Sequence, residues 1–226
     1  MKYIYHHLGL GDHIICNGLV RHFCELHDEV TVFCKTHNYE NVSYMFRDEP
    51  KIKILPLNND NEVELYIRNN NLYQNIIKVG FDRLWSSGPK TFDIGFYNSI
   101  NIPFDYRFTK FKFERDYESE KKIMEELNPN NEEYVFVHDD INRGFSIDKN
   151  KIRTDLKIIK NDTKYNFFHM LGVIEKAKEV HLMQSSFKDL INSFTIDKPD
   201  FYYHTYVRQY PDFYDTEGYN KFTKIN

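Results

Sequence analysis

The sequence predicts an α/β protein built from two small Rossmann-like halves, and three observations carry that prediction. Apolar, β-branched runs alternate with segments of helical spacing along the first third of the chain. The same alternation resumes after a polar Pro/Asn cluster near residue 130. Hydrophobic residues make up 41% of the 226 and aromatic residues 16%, enough to bury a core and too many for general disorder.

In chain order, Lys2–His6 is a short extended run, and Gly9-Leu10-Gly11-Asp12 reads as a turn. Ile14, Ile15, Leu19, Val20 and Phe23 then recur at helical spacing. Glu29–Cys34 has the β-branched, apolar pattern of a buried strand. Asn38–Phe46 suits a short helix, followed by a strand over Ile52–Leu55 that Pro56 closes. Asp60–Asn70 reads as a polar helix and Asn75–Val79 as a fourth strand. Strands separated by helices in this way imply a parallel, doubly wound sheet, whose ligands sit at the carboxyl ends of the strands. From Gly80 to Phe113 the pattern weakens into aromatic residues with scattered Gly and Pro.

Asp116–Leu127 is a charged helix ended by Asn128-Pro129-Asn130-Asn131. That cluster places a boundary between an N-terminal domain over 1–130 and a C-terminal domain over 131–200. In the second half, Tyr134–Val137 is a strand running into His138-Asp139-Asp140, and Leu156–Ile159 is a further strand. Asp162 or Thr163 caps a helix with Phe167, Phe168, Leu171 and Ile174 on its apolar face. Val180–Met183 is a strand, and Ser185-Ser186 caps a helix through Phe194. Residues 201–226 read as an aromatic tail that crosses back between the domains.

Charge and composition narrow the function. Thirty Lys and Arg against 34 Asp and Glu give a net charge of -4, which argues against a nucleic-acid binder relying on a basic surface. No stretch approaches the roughly 18 apolar residues that span a bilayer. The start, MKYIYHHLGLGDH, turns polar too early for a signal peptide. Cys16, Cys24 and Cys34 form no C-x-x-C, so a reducing compartment is expected and a disulfide framework is not. The expected location is the cytoplasm, a setting that also suits a viral protein acting in its host cell.

Three loops carry candidate chemistry. In Leu8-Gly9-Leu10-Gly11-Asp12-His13, two glycines let backbone approach a ligand, and the following helix start favours negative charge. The dinucleotide fingerprint G-x-G-x-x-G fails, because Ile14 stands where its third Gly belongs and the second strand ends in Cys34-Lys35 rather than an acid. NAD is therefore not expected. Asp12 is either a helix cap or a carboxylate able to take a proton from an attacking hydroxyl. In the second loop, Gln184-Ser185-Ser186 offers hydroxyls and backbone N–H groups to a phosphate, although ordinary capping accounts for one serine as well. In the third, Arg143 suits a diphosphate through its planar fork and His138 a phosphate or base, whereas Asp139 and Asp140 read as a polar surface loop.

Ten histidines invite a metal reading, but His6 and His7 point to opposite faces of a strand, and His13, His22 and His27 share no H-x-x-x-H pair. No metal site is expected, and Asp139-Asp140 lacks D-x-D spacing. The run Tyr202-Tyr203-His204-Thr205-Tyr206-Val207-Arg208 is either packing or a source of Arg208 and His204 for an anionic ligand. No Ser/His/Asp or Cys/His hydrolase arrangement is legible.

Gly9-Leu10-Gly11-Asp12-His13-Ile14-Ile15 resembles the N-terminal turn of the heptosyltransferase-like glycosyltransferases. The second half is similar to them too: a helix of the Phe167–Lys176 kind, a strand, then Gln184-Ser185-Ser186 where the family often has Asp-Ser/Thr-Gly. The resemblance implies the GT-B fold, two Rossmann-like domains facing across a cleft, with acceptor mostly in the first and a nucleotide-diphosphate sugar mostly in the second. It implies Asp12 as general base and a diphosphate held by Ser185, Ser186 and neighbouring groups. Gly11, His138, Arg143, Gln184 and Arg208 complete the expected nucleotide-sugar site. It further implies inversion, no cofactor and no metal, with helix N-termini and basic residues stabilising the departing diphosphate. The partners are then the nucleotide sugar and a glycan or other hydroxyl acceptor, as in glycan biosynthesis.

Two rivals remain. A non-catalytic nucleotide or sugar-nucleotide binding module derived from a transferase would account for Gln184 and the short chain. A sugar-nucleotide epimerase or dehydrogenase conflicts with the broken fingerprint, and Tyr117-Glu118-Ser119-Glu120-Lys121 places its Y-x-x-x-K spacing on the charged helix.

Overall fold

The computed structural model describes residues 1–81, 92–152, 155–193, 196, 199–208 and 221–226. They form two compact units that divide between Glu114 and Arg115.

The first unit holds a wholly parallel sheet. Strands β1 (Lys2–Tyr5), β2 (Val30–Lys35), β3 (Ile52–Leu57) and β4 (Ile76–Lys78) lie in the order β3-β2-β1-β4. Ile4, Val30, Val32 and Phe33 are fully buried, which is why β1 and β2 read as continuous apolar runs rather than alternating ones. Helices α1 (Leu10–Ile15) and α2 (Asn17–Leu26) follow β1, α3 (Tyr39–Met45) follows β2, and α4 (Asp60–Asn69) follows β3. Asn59 caps α4 by accepting from the Glu62 N–H at 3.1 Å.

Two local readings are corrected. Strand β3 continues through Pro56, which pairs with Cys34, because β3 is an edge strand and an edge tolerates a missing donor. Gly9–Asp12 is not a free turn: Gly9 is extended and α1 begins at Leu10, so Gly11 and Asp12 already lie in the first helical turn.

Helices α5 (Phe92–Asn98) and α6 (Tyr106–Thr109) arise where the sequence pattern is weak. Arg107 of α6 is fully buried and ion-paired with Asp93 of α5. Helix α2 meets α6 at Gly18, where a Cβ would run into the Tyr106 carbonyl oxygen and stand 2.8 Å from its carbon. Gly18→Ala is expected to destabilise the protein by about 3 kcal/mol, since backbone rather than a flexible side chain must give way. Urea unfolding checks this, and a midpoint matching the wild type would contradict it.

The second unit holds β5 (Tyr134–Val137), β6 (Lys157–Lys160), β7 (Glu179–Leu182), β8 (Asp200–His204) and β9 (Phe222–Ile225), all parallel, in the order β6-β5-β7-β8-β9. Helices α7 (Tyr117–Leu127), α8 (Leu171–Lys176) and α9 (Ser186–Ser193) pack with it. Phe136, Val180, Leu182, Phe187, Ile191, Phe201 and Tyr203 form the centre of its core.

Helix α7 precedes the expected boundary after residue 130 but packs in this unit. Arg115 reaches both Glu120 of α7 and Glu175 of α8 at 2.5–2.8 Å. The Asn128–Asn131 cluster is a turn between α7 and β5: the Asn128 side chain brackets the Glu132 backbone at 2.9 and 3.2 Å, and Asn131 takes φ 51°. The helix expected from Asp162 or Thr163 starts later, as a 3-10 turn over Phe167–Met170 capped by Asn166, and continues as α8. Part of the expected aromatic tail is sheet: Phe201 and Tyr203 of β8 and Phe222 of β9 enter the core. Residues 82–91 of the aromatic segment, 209–220 of the tail, and Phe194 lie outside the described residues.

These strand orders position the loops. In the first sheet β1 lies between β2 and β4, and in the second β5 lies between β6 and β7. Such reversals of strand order open the ligand crevices of doubly wound folds, at the carboxyl ends of the strands. The loops after β1, β5 and β7 are the three that carry candidate chemistry.

Candidate functional sites at the strand ends

In the first unit, the loop from β1 is pinned before it reaches α1. The Asn38 side chain donates to the Leu8 carbonyl at 3.1 Å, and the buried rings of His6 and His13 meet edge to face, 4.4 Å between centroids. Asp12 Oδ2 accepts from the Gly9 N–H at 3.2 Å, so the capping reading is realised from the third helical position. A Cβ on Gly9 would stand 2.6 Å from that oxygen, which is the local reason for glycine there. Asp12 is half-buried at the carboxyl end of the central strand, and Gly11 beside it is half-buried too. Behind them lies Cys16, whose thiol burial pushes well above its ordinary range.

In the second unit, His138 directly follows β5, with its backbone N–H bonded to the His181 carbonyl and its ring against Phe187. Burial lowers its pKa to about 4, so the ring is neutral near pH 7 and can offer a hydrogen bond but no positive charge. Asp139 is buried rather than part of a surface loop. It accepts from the Ile147 N–H at 2.9 Å and from Lys160 at 2.5 Å, while its own N–H bonds the Asn161 side chain. Asp140 and Phe145 close a turn through Gly144 at φ 78°, and the Arg143 guanidinium is paired with the Asp140 carboxylate. An incoming diphosphate would have to compete with that carboxylate for Arg143.

The loop after β7 gathers most of the remaining candidates. Ser185 occupies the cap position of α9, its carbonyl accepting from Asp189 N–H at 3.2 Å. Its hydroxyl is buried, the residue 8% exposed, and has no hydrogen-bond partner among the described residues. Ser186 is the first helical residue. Arg208 donates to the Gln184 carbonyl at 3.3 Å, and its guanidinium lies 5.6 Å from the Phe145 ring. The structure thus brings Gln184, Ser185, Ser186 and Arg208 together and sets Arg208 against the turn that holds Arg143.

Gln184 itself faces inward, its side-chain oxygen accepting from Lys188 at 2.8 Å and from the Tyr203 hydroxyl at 3.3 Å. Lys188 is fully buried, and sequence reading missed it because a lysine in a first helical turn ordinarily faces solvent, while the Tyr203 ring that covers it comes from β8. Also missed is a chain of contacts from Glu179 through His181 and His204 to Tyr206, whose hydroxyl accepts from Asp148 N–H. It joins β7 and β8 to the loop beyond β5.

Among the described residues there is no cluster of three or more His, Cys, Asp and Glu suited to a metal, and no helix long and apolar enough to cross a membrane.

No family model matches the sequence, and comparison with curated proteins finds no match. Solved structures do resemble it. One is the glycosyl transferase family 9 protein from Veillonella parvula, with a TM-score of 0.52 at 8% identity, covering 89% of this chain and 80% of that one. Another is the E. coli ADP-heptose LPS heptosyltransferase II, with a TM-score of 0.56 at 8% identity, covering 100% of this chain and 90% of that one. These likenesses show the fold: two parallel α/β sheets of the GT-B-like kind found in heptosyltransferases.

Proposed function

We propose that the protein is an inverting, metal-independent glycosyltransferase that moves a sugar from a nucleotide-diphosphate donor to a hydroxyl acceptor. The observation that carries this reading is the buried Ser185 hydroxyl at the start of α9, unpartnered among the described residues, with Arg208 bonded to the preceding carbonyl. A helix start, a spare hydroxyl and a guanidinium beside a strand-order reversal suit a diphosphate. Asp12 supplies the base on the acceptor side. As the acceptor oxygen bonds to the anomeric carbon, its proton passes to the Asp12 carboxylate, and the bond to the diphosphate oxygen breaks with its electron pair leaving on the diphosphate. Positive potential at α9 and Arg208 stabilises that departing charge without a metal. His138 supplies a neutral hydrogen-bonding ring on the adjacent loop, and Arg143 joins the phosphate contacts only after exchanging partners with Asp140.

Replacing Ser185 and Ser186 together by Ala tests the cradle. Nucleoside-diphosphate affinity is expected to fall at least about tenfold, the worth of a single hydrogen bond to a charged group. Binding is measured well below the melting temperature, so that a change in stability does not enter. Unchanged affinity would remove the cradle assignment.

A further inference from the structure

Lys188 stands in the first turn of α9 yet is 0% exposed. A buried ammonium costs several kcal/mol of desolvation unless its surroundings compensate, so its position in a fold calls for a reason. Its Nζ donates to Gln184 Oε1 at 2.8 Å and lies 3.9 Å from the centre of the Tyr203 ring. The Tyr203 hydroxyl binds the same Gln184 oxygen, while Arg208 holds the Gln184 main-chain carbonyl. Gln184 is therefore gripped from both ends, and the residue after it carries the spare hydroxyl. An amide at 184 accepts the Lys188 proton without adding negative charge to the turn, as a carboxylate there would.

We propose that Lys188 is a positioning residue for the anionic part of the donor. It fixes Gln184, and through it the 184–186 turn, and places a buried positive charge within the same first turn of α9 that presents the phosphate-binding amides. The inference rests on the donor-site reading above. It departs from the expectation that Gln184 contacts the ligand: Gln184 serves as the handle by which Lys188 orients the turn.

The test is calorimetric binding of UDP, GDP, ADP, CDP and dTDP, each beside its nucleoside, to the wild type and to Lys188→Met, Lys188→Arg and Gln184→Glu. Lys188→Met is expected to weaken the diphosphate that binds best about tenfold and to leave the nucleoside within about twofold. Its melting temperature should hold or rise, because an apolar side chain replaces a buried charge. Lys188→Arg should recover part of the loss. Gln184→Glu should weaken the diphosphate similarly without truncating the lysine, which keeps the test decisive if the Met variant does not fold. Wild-type diphosphate affinity in both Lys188→Met and Gln184→Glu would overturn the inference while leaving the donor site standing. No diphosphate binding by the wild type would overturn both.

Discussion

Asp12→Asn is expected to lower kcat by about 10²–10⁴-fold while leaving nucleoside-diphosphate affinity nearly unchanged. The prediction rests on what the substitution keeps as much as on what it removes. Asparagine retains a side-chain oxygen that can accept from the Gly9 N–H, the bond that ties the loop to α1. It has the same shape, so it meets Gly9 at the same close approach. It cannot take up the acceptor proton. Asp12→Ala, by contrast, removes the base and the cap together, and is expected to cost about 1 kcal/mol of stability as well as activity. Full kcat in the Asn variant would reduce Asp12 to a capping residue.

Acid is expected to unfold the protein well before its carboxylates are neutralised. Burial lowers the pKa values of His6, His138 and His204 to about 4, and those of His7, His13 and His181 also lie below the ordinary 6.5. The folded state therefore keeps these rings neutral at pH values where the unfolded chain binds protons. Their stability contribution is complete above pH 6.5 and is lost as pH falls from 6.5 toward 4. A histidine moved from 6.5 to 4 forfeits about 2 kcal/mol at pH 5, so three forfeit about 6 kcal/mol, comparable to the whole stability of a typical domain. Asp48 works in the same direction at lower pH: despite the desolvation that raises its pKa, Arg21 and Lys112 hold it below its usual value, a contribution lost on further acidification. The melting temperature by circular dichroism should fall steeply between pH 6.5 and 5. A flat profile over that window would contradict the burial of neutral histidines.

Much of the architecture was legible because local pattern and tertiary role coincide. Val30–Cys34 and Tyr134–Val137 read as buried strands because both their faces are covered, and the charged helix expected over Asp116–Leu127 forms with Asp116 as its cap. Misreadings arose where a tertiary term decided. Pro56 ends a strand by its own chemistry but sits harmlessly at a sheet edge. Tyr202 and Phe222 belong to runs crowded with aromatics, a composition that fits strands as well as a packed tail, and sheet pairing settles it. The polar Asn128–Asn131 turn has the composition of a linker, whereas the Arg115–Glu120–Glu175 network that ties α7 to α8 joins residues 60 positions apart. At the candidate site, Ser185, Ser186 and Arg208 could be named from residue type and position. The Arg143–Asp140 pairing, the inward turn of Gln184 and the burial of Lys188 depend on contacts that spacing alone does not encode.

The central claim is that the second unit binds a nucleotide diphosphate, and a thermal-shift panel tests it most directly. UDP, GDP, ADP, CDP, dTDP and NAD would each be added with and without magnesium. A ligand at 100 times its Kd stabilises by about 2.7 kcal/mol, enough to raise the melting temperature by several degrees. The expected result is a rise with one nucleoside diphosphate that does not depend on magnesium, which would also name the base of the donor. No rise with any of the diphosphates, or a rise with NAD alone, would contradict the donor site and the transferase reading built on it.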